Sequence, residues 1–563
     1  MKNKRNLAFI LNLIMQNKIL LIINIALAII TFGIYIYVPM LEQKIIDDGF
    51  LDKNFEKMVS LVIVSLVFVV ILHSINYLQA RIENRLVVKG RENLKVEALH
   101  HGLRLKLEHL KERGLYAMIT DANYDIANIM EVFSSDFINL IVEIIKVVGY
   151  GVGLFLLNWK MTIIVLLIIP IKLLLSHTIG KAKTKKMEEL IEIQKEISLW
   201  QSDIYPGVSE IKNWNLHNII EEKYRNLTHD REKISNDLDR ISAINLLSKS
   251  VLEKIIFSVL YVFAGVLIIN DNLTLGTFVA FTTYATSFFY PVDIIANIKM
   301  YLAEIMPSVE SYQSYMELKE EVDQGTEFIN KEKVEIEFRD VDFNYVDNET
   351  TLRGINFKIK SGEKVAFIGK NGSGKSTIAN LLLRYYKPMN GEIIFNGMPI
   401  ENIELGNYRN QFAVMNQTVF LFNETIMDNI TMYDKNRKMQ LTNDEEKLLD
   451  FVNEYPEKFH TMVGLNGSNL SGGEKQRIAL ARTLNKRARI LLLDEATSNC
   501  DNKTENIMKN ILRNSSDDIV ICITHNLSQI EDFDRIYLLD QGQIVREGSY
   551  KEVCDFYESE GEV

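Results

Sequence analysis

The hydrophobic pattern divides this chain in two. Before residue 300, six stretches are apolar over about 20 residues, the length a helix needs to cross a hydrocarbon core. They are Ile19–Met40, Met58–Leu78, Phe137–Leu157, Met161–Ile179, Val251–Ile269 and Leu275–Ile295, the last being the least apolar. Two long, charged, helix-like segments separate the second stretch from the third and the fourth from the fifth. A soluble coiled coil would show heptads there, whereas apolar runs dominate the flanks. From Val334 onward, short strand-like runs alternate with helical patterns, as in an α/β domain. The expectation is a six-span α-helical transmembrane domain over 1–310, a linker over 311–332 and a water-soluble α/β domain over 333–563.

Charge gives the spans a direction. Lys2, Lys4, Arg5 and Lys18 place the start of the chain on the cytoplasmic side, because basic loops stay inside. The long connections are basic too, from Arg81 to Arg113 and from Lys181 to Arg240. The outward loops are short: Asn158-Trp159-Lys160 and Asn270–Leu275 carry almost no basic residue. The loop after the first span has more acids than bases and also fits outside. The first apolar run is too long for a signal-peptide core and no small-residue cleavage site follows it, so it reads as a retained span.

A net charge of −11 argues against a nucleic-acid surface. The three cysteines, Cys500, Cys522 and Cys554, form no CxxC pair and read as semi-buried residues in a reducing cytosol.

Candidate chemistry lies in the second half. The strand pattern Lys364–Ile368 runs into Gly369-Lys370-Asn371-Gly372-Ser373-Gly374-Lys375-Ser376-Thr377, followed by a helical stretch. This is a phosphate-binding loop in its strand–loop–helix setting. Glycines let the backbone N–H groups turn towards phosphate oxygens, and the helix adds the positive end of its dipole. Lys375 is expected to reach the β- and γ-phosphates of ATP, and the Ser376 hydroxyl to bind Mg²⁺. A second strand, Ile490–Leu493, ends in Asp494-Glu495. An acid there suits Mg²⁺, and the next suits polarising the attacking water. A third, Ile519–Thr524, ends at His525, a candidate γ-phosphate contact.

Leu470-Ser471-Gly472-Gly473-Glu474-Lys475-Gln476-Arg477 resembles the signature of ATP-binding cassette (ABC) proteins. With six spans ahead of an α/β P-loop ATPase domain and its helical subdomain, nearly the whole chain resembles an ABC exporter half-transporter. The resemblance implies that Tyr345 stacks on adenine and that Gln417 links Mg²⁺ to the membrane domain. It implies that Asp494 is the metal-binding acid, Glu495 the catalytic base, His525 the switch histidine, and Asp501 the end of the loop that crosses the dimer. It also implies that Ser471, Gly472 and Gly473 serve ATP held by a partner chain, either a second copy or a related half-transporter.

Three places depart from the family pattern. Ser498-Asn499-Cys500-Asp501 stands where Ser-Ala-Leu-Asp is usual, Leu465 replaces an acid before the signature, and Asn526 follows His525 where arginine is common. None removes a group needed for phosphoryl transfer.

The turns Arg113-Gly114 and Tyr205-Pro206-Gly207 mark the tips of the inner connections. Gly114 through Asp121 resembles the family's first coupling helix, and Glu210–Asn215 the second. Inside the spans, Glu143, Lys146, Lys172 and Asp293 are costly in lipid and point either to a cargo cavity or to internal ion pairs. Phe281, Tyr284 and Phe288 share a face of the sixth span. The function expected is ATP-driven export of a peptide or other amphipathic cargo. Lipid or lipid-linked substrates, drugs and an ATP-gated membrane regulator are the alternatives. Importers usually carry spans and ATPase on separate chains. The richness in Ile, Asn and Lys suggests a bacterial plasma membrane.

Overall fold

The computed structural model describes all residues except 1–4, 7, 10–11, 14–17, 134–139, 330–333, 346–350, 435–438, 496–501, 515–518, 526 and 560–563. The chain forms two compact units, Met1–Glu321 and Val322–Val563.

The first unit is helical. Helix α1 (Lys18–Lys44) passes through a short π-helical turn to α2 (Phe55–Gly102), and α3 (Leu107–Arg113) and α4 (Leu115–Phe133) follow. Next come α5 (Leu140–Leu157), α6 (Trp159–Leu166), α7 (Ile168–Ile204), α8 (Val208–Asn213), α9 (His217–Ile269) and α10 (Leu275–Met316). Five described helices are long and apolar enough to cross a membrane. The stretch expected as the third span is represented by α5, with 134–139 outside the described residues.

Helices α2 and α9 have 48 and 53 residues. At about 1.5 Å per residue they run roughly 70–80 Å, more than twice the hydrocarbon thickness. Each joins an apolar run to a charged one without proline, so nothing interrupts the backbone ladder. Corners are set by caps: Asn158 accepts from the N–H groups of Lys160 and Met161, and Thr274 from that of Thr277. The Gly276 N–H donates to Asp47, and a Cβ at Gly276 would sit 2.5 Å from that carboxyl, so the contact requires glycine.

The first inner connection turns at Arg113-Gly114 as the sequence suggested, but residues 115–121 do not form a separate short helix. Gly114 takes φ +70° and ends α3, so residues from 115 onward open the 19-residue α4 instead. The second corner lies where expected, with Trp214 at the exposed end of α8.

The charges within the spans pair inside the protomer. Lys146 donates to Glu143 at 2.7 Å, and Lys172 bonds Asp293 at 2.6 Å and Glu253 at 2.9 Å. Phe281, Tyr284 and Phe288 are buried in the helix core with Tyr150, Leu154 and Leu260, so they do not front an open cavity in this protomer.

The second unit is α/β. Strands β1 (Glu335–Phe343), β2 (Leu352–Lys360), β4 (Asn390–Phe395) and β5 (Met398–Pro399) form an antiparallel sheet in the order β2-β1-β4-β5. The larger sheet contains β3 (Lys364–Ile368), β6 (Phe412–Met415), β7 (Ile490–Asp494), β8 (Ile519–Ile523), β9 (Arg535–Asp540) and β10 (Gln543–Gly548). Its order is β10-β9-β3-β8-β7-β6, and β3, β6, β7, β8 and β9 run parallel. The central strands are apolar at nearly every position because both faces are covered. Register then decides the site. Phe367 pairs with Ile523, Asp494 with Ile523 and Met415 with Leu493, so four strands end on one edge.

Candidate active site

That edge gathers groups spread over more than 150 residues of sequence. Strand β3 ends at Gly369, which takes φ +142°, and a Cβ there would lie 2.1 Å from the Leu539 carbonyl oxygen. Gly372 and Gly374 also take positive φ, and Gly374 leads into α11 (Lys375–Leu382). Asn371 is exposed on the loop, while Ser373, Lys375 and Thr377 are buried and Ser376 is exposed. The Lys375 ammonium folds back to the carbonyls of Gly369 and Lys370, at 2.7 and 2.8 Å. Burial pulls its pKa down, with the carboxylates of Glu495 and Asp494 acting in the opposite sense.

Asp494 closes β7 beside Ser376, which hydrogen-bonds it. Burial raises its pKa, and the neighbouring Glu495 adds to the rise. Its Oδ1 is buried without a hydrogen-bond partner. An unpaired carboxylate oxygen beside a serine hydroxyl at a phosphate loop fits Mg²⁺, which takes one or two protein oxygens and completes its shell with phosphates and water. Among the described residues no group of three His, Cys, Asp or Glu side chains could hold a metal alone.

Glu495 has φ +48°, and its N–H bonds the Ile523 carbonyl at 2.8 Å. Two side chains hold its carboxylate: Gln417 Nε2 donates to Oε2 at 2.6 Å, and His525 Nδ1 lies 3.4 Å from Oε1. Tyr345 stands beside α11. Its hydroxyl donates to Thr377 Oγ1 at 3.3 Å and accepts from Asn380 Nδ2 at 3.1 Å. Its ring meets Phe343 and Tyr386 edge-on, with centroids 4.8 and 5.1 Å away.

The signature residues sit at the start of α12 (Gly472–Asn485). Ser471 caps the helix and Glu474 bonds back to the Ser471 N–H, a reciprocal capping box. A Cβ at Gly472 or Gly473 would meet nothing within 4 Å, so packing inside this chain does not demand either glycine. Asp501, together with Ser498-Asn499-Cys500 and Asn526, lies outside the described residues. Leu465 is largely exposed. Cys522 is buried in β8, and burial pushes its thiol up to about 12, which leaves it inert.

Several supporting residues escaped the sequence reading. Arg482 on α12 donates to the carbonyls of Asn429 and Phe420 and to Asn429 Oδ1, bracing the segment that follows Gln417. Tyr386 and Asn380 hold Tyr345. Only the Ser471–Glu474 spacing was a signal that could have been read in advance.

Both units are similar to known proteins. A family model described as the ABC transporter transmembrane region matches residues 21–292, and one described as ABC transporter matches 352–498. An ATP-dependent lipid A-core flippase of Burkholderia orbicola is 30% identical over 545 residues, covering 94% of this chain and 91% of its own. A protein of the same name from Haemophilus influenzae is 29% identical, with 92% and 89% covered. An uncharacterised ABC transporter ATP-binding protein of Bacillus subtilis is 26% identical, with 95% and 90% covered. Among solved structures, a bacterial Atm1-family ABC exporter with ATP bound superposes with TM-score 0.86 at 23% identity, over 97% of this chain and 98% of that one.

Proposed function

The chain belongs to the ABC transporter family, as a half-transporter with its transmembrane region fused to its ATPase, and from that premise we propose how it drives export. The observation that carries the reading is Glu495, held by Gln417 and His525 on the sheet edge where the phosphate loop opens.

The glycine turns of 369–374 present backbone N–H groups to the phosphates, and the start of α11 adds its dipole. Lys375 exchanges its two carbonyl contacts for phosphate oxygens when ATP enters. Ser376, Asp494 and Gln417 are the residues that would hold Mg²⁺, which when bound neutralises charge on the β- and γ-phosphate oxygens. Glu495 accepts the proton of the attacking water, and His525 steadies both the carboxylate and the γ-phosphate. Tyr345 supplies the adenine platform.

The second half of each site comes from another chain. Ser471, Gly472 and Gly473 form an open helix N-terminus whose glycines have no steric reason inside this protomer. Close approach of a nucleotide phosphate held by the partner supplies that reason. Two copies of the chain then enclose two ATP molecules, and hydrolysis releases them. The tips of the two inner connections, at 114–121 and 210–215, carry this closure to the spans. The basic inner connections favour the cytoplasmic side for both tips and the ATPase unit, and the richness in Ile, Asn and Lys favours a bacterial plasma membrane. The cargo is an amphipathic molecule, and the lipid flippases among the relatives favour a lipid over a peptide.

The test is ATP turnover by the full chain in lipid nanodiscs, with Glu495→Gln as control. Turnover that vanishes in Glu495→Gln while ATP still binds supports the reading. Equal phosphate release by both proteins overturns it.

A further inference from the structure

A groove of about 570 Å³ runs between α9 and α10, and its wall is unusual for a membrane segment. Hydroxyls line it: Ser250 and Ser258 from α9, and Thr283, Thr286 and Ser287 from α10. Hydroxyls facing hydrocarbon gain nothing, so such a wall needs polar company.

Most of these protons are already committed. Thr286 donates to the Thr282 carbonyl at 2.9 Å, Ser258 to the Lys254 carbonyl at 2.8 Å, and Thr283 to Glu42 at 2.9 Å. The oxygens of these three still offer lone pairs to the groove, and the Tyr261 and Ser250 hydroxyls beside them can donate or accept, so the wall suits a ligand that carries hydroxyls of its own. Its charge is equally specific. Glu253 also lines the groove but is bonded to Lys172. Lys254 is exposed there and makes no ion pair among the described residues. The groove therefore holds one uncompensated positive charge beside a row of acceptors.

A second, mostly apolar depression shares Ser250, Lys254 and Ser258 with the groove and continues along α9 over Val251, Ile255 and Val259. These three are about half exposed and stand four residues apart, so they form one stripe on the helix. Polar groove and apolar stripe meet at Lys254.

We propose that this is a recognition site for a membrane lipid whose head carries one anionic group and free hydroxyls. The anion sits on Lys254, the hydroxyls donate to the serine and threonine oxygens, and an acyl chain lies along Val251, Ile255 and Val259. The proposal rests on the transporter reading above and names its cargo class more closely. A zwitterionic head without hydroxyls leaves the acceptors unmet and brings a second positive charge towards Lys254.

The experiment measures binding rather than turnover, so it stands apart from the ATPase test. Full-length Glu495→Gln protein in detergent is titrated with acyl-labelled phosphatidylglycerol and, separately, acyl-labelled phosphatidylcholine, read by fluorescence polarisation. Phosphatidylglycerol is expected to bind about tenfold more tightly. Lys254→Gln removes most of that preference, and Thr286→Val with Ser287→Ala weakens phosphatidylglycerol about fivefold while leaving phosphatidylcholine unchanged. Thr286→Ser restores binding, which separates lost hydrogen bonding from misfolding. Equal binding of the two lipids overturns the proposal, as do an undiminished preference in Lys254→Gln and an equal loss for both lipids in the threonine–serine variant. If the preference appears but wild-type protein hydrolyses no ATP, the transporter reading fails and the lipid site stands.

Discussion

Gln417 Nε2 donates to Glu495 Oε2 at 2.6 Å, joining the residue just beyond β6 to the one just beyond β7. In the proposed mechanism this bond fixes the carboxylate that receives the proton from water. Glu495→Gln is expected to lower ATP turnover at least about a hundredfold with nucleotide binding kept. Gln417→Ala, which frees the carboxylate but leaves it in place, is expected to cost less. Phosphate release and nucleotide binding, measured on the same preparation, check both.

Signature and phosphate loop act on different chains in the proposed dimer, and mixing variants exposes this. Lys375→Ala and Ser471→Arg are each expected to abolish turnover alone. Mixed dimers hold one intact site, made from the Lys375 of one chain and the Ser471 of the other. Co-expressed, differently tagged chains purified through both tags should recover a measurable fraction of wild-type activity. No recovery would show that both motifs serve a site within one chain.

Tyr345 meets Tyr386 edge-on and bonds Thr377 and Asn380. Base–aromatic stacking contributes about 1–3 kcal/mol. Tyr345→Ala should raise KM for ATP about tenfold or more with kcat little changed, whereas Tyr386→Phe should resemble wild type because the ring contact survives.

Asp125 lies on α4, buried against the α10 extension and facing Ser308, Ser311, Asp121 and Lys195. Burial lifts its pKa to about 7, and Asp121 adds to the rise. The folded state therefore keeps a proton that the unfolded chain releases near the ordinary aspartate value. Stability contributed by this group is full below about pH 4, falls as pH rises towards 7 and is level above that. Asp125→Asn should raise the melting temperature at pH 8 and have little effect near pH 4. Thermal melts of both proteins across that range decide it.

Lys172 bonds Asp293 and Glu253 and lies 4.9 Å from the Phe289 ring. Asp293→Leu alone removes one of the two carboxylates on a buried ammonium, leaves Lys172 to Glu253, and should cost about 1.5–3 kcal/mol. The double variant Lys172→Met with Asp293→Leu should recover part of that loss. Melting temperatures in lipid, compared around the cycle, report the coupling.

The contrast between α3 and α4 shows how far local pattern reaches. The Arg113-Gly114 turn falls where its residues placed it, and the positive φ of Gly114 ends α3 there. Helical periodicity runs on from residue 115, so only the backbone path shows that 115–121 continues into α4 and is not a separate short helix. The ring set Phe343, Tyr345 and Tyr386 was half legible for a similar reason. Tyr345 followed from family resemblance, but its partner is 41 residues away and carries no motif.

By itself, the sequence determined the division into a spanning part and an α/β part, because run length and alternation are local consequences of the solvent each segment meets. It also determined the chemistry of the phosphate loop, since glycines, lysine and hydroxyls act there through neighbouring backbone. Tertiary structure decided what depends on distant residues meeting. Strand register put Glu495 between Gln417 and His525, helix packing joined Lys172 to Asp293 instead of leaving them to a cavity, and the spacing of α9 and α10 opened a hydroxyl-lined groove that no apolar run announces. Those contacts follow from how helices and strands pack against one another, and a hydropathy pattern records only which face is buried.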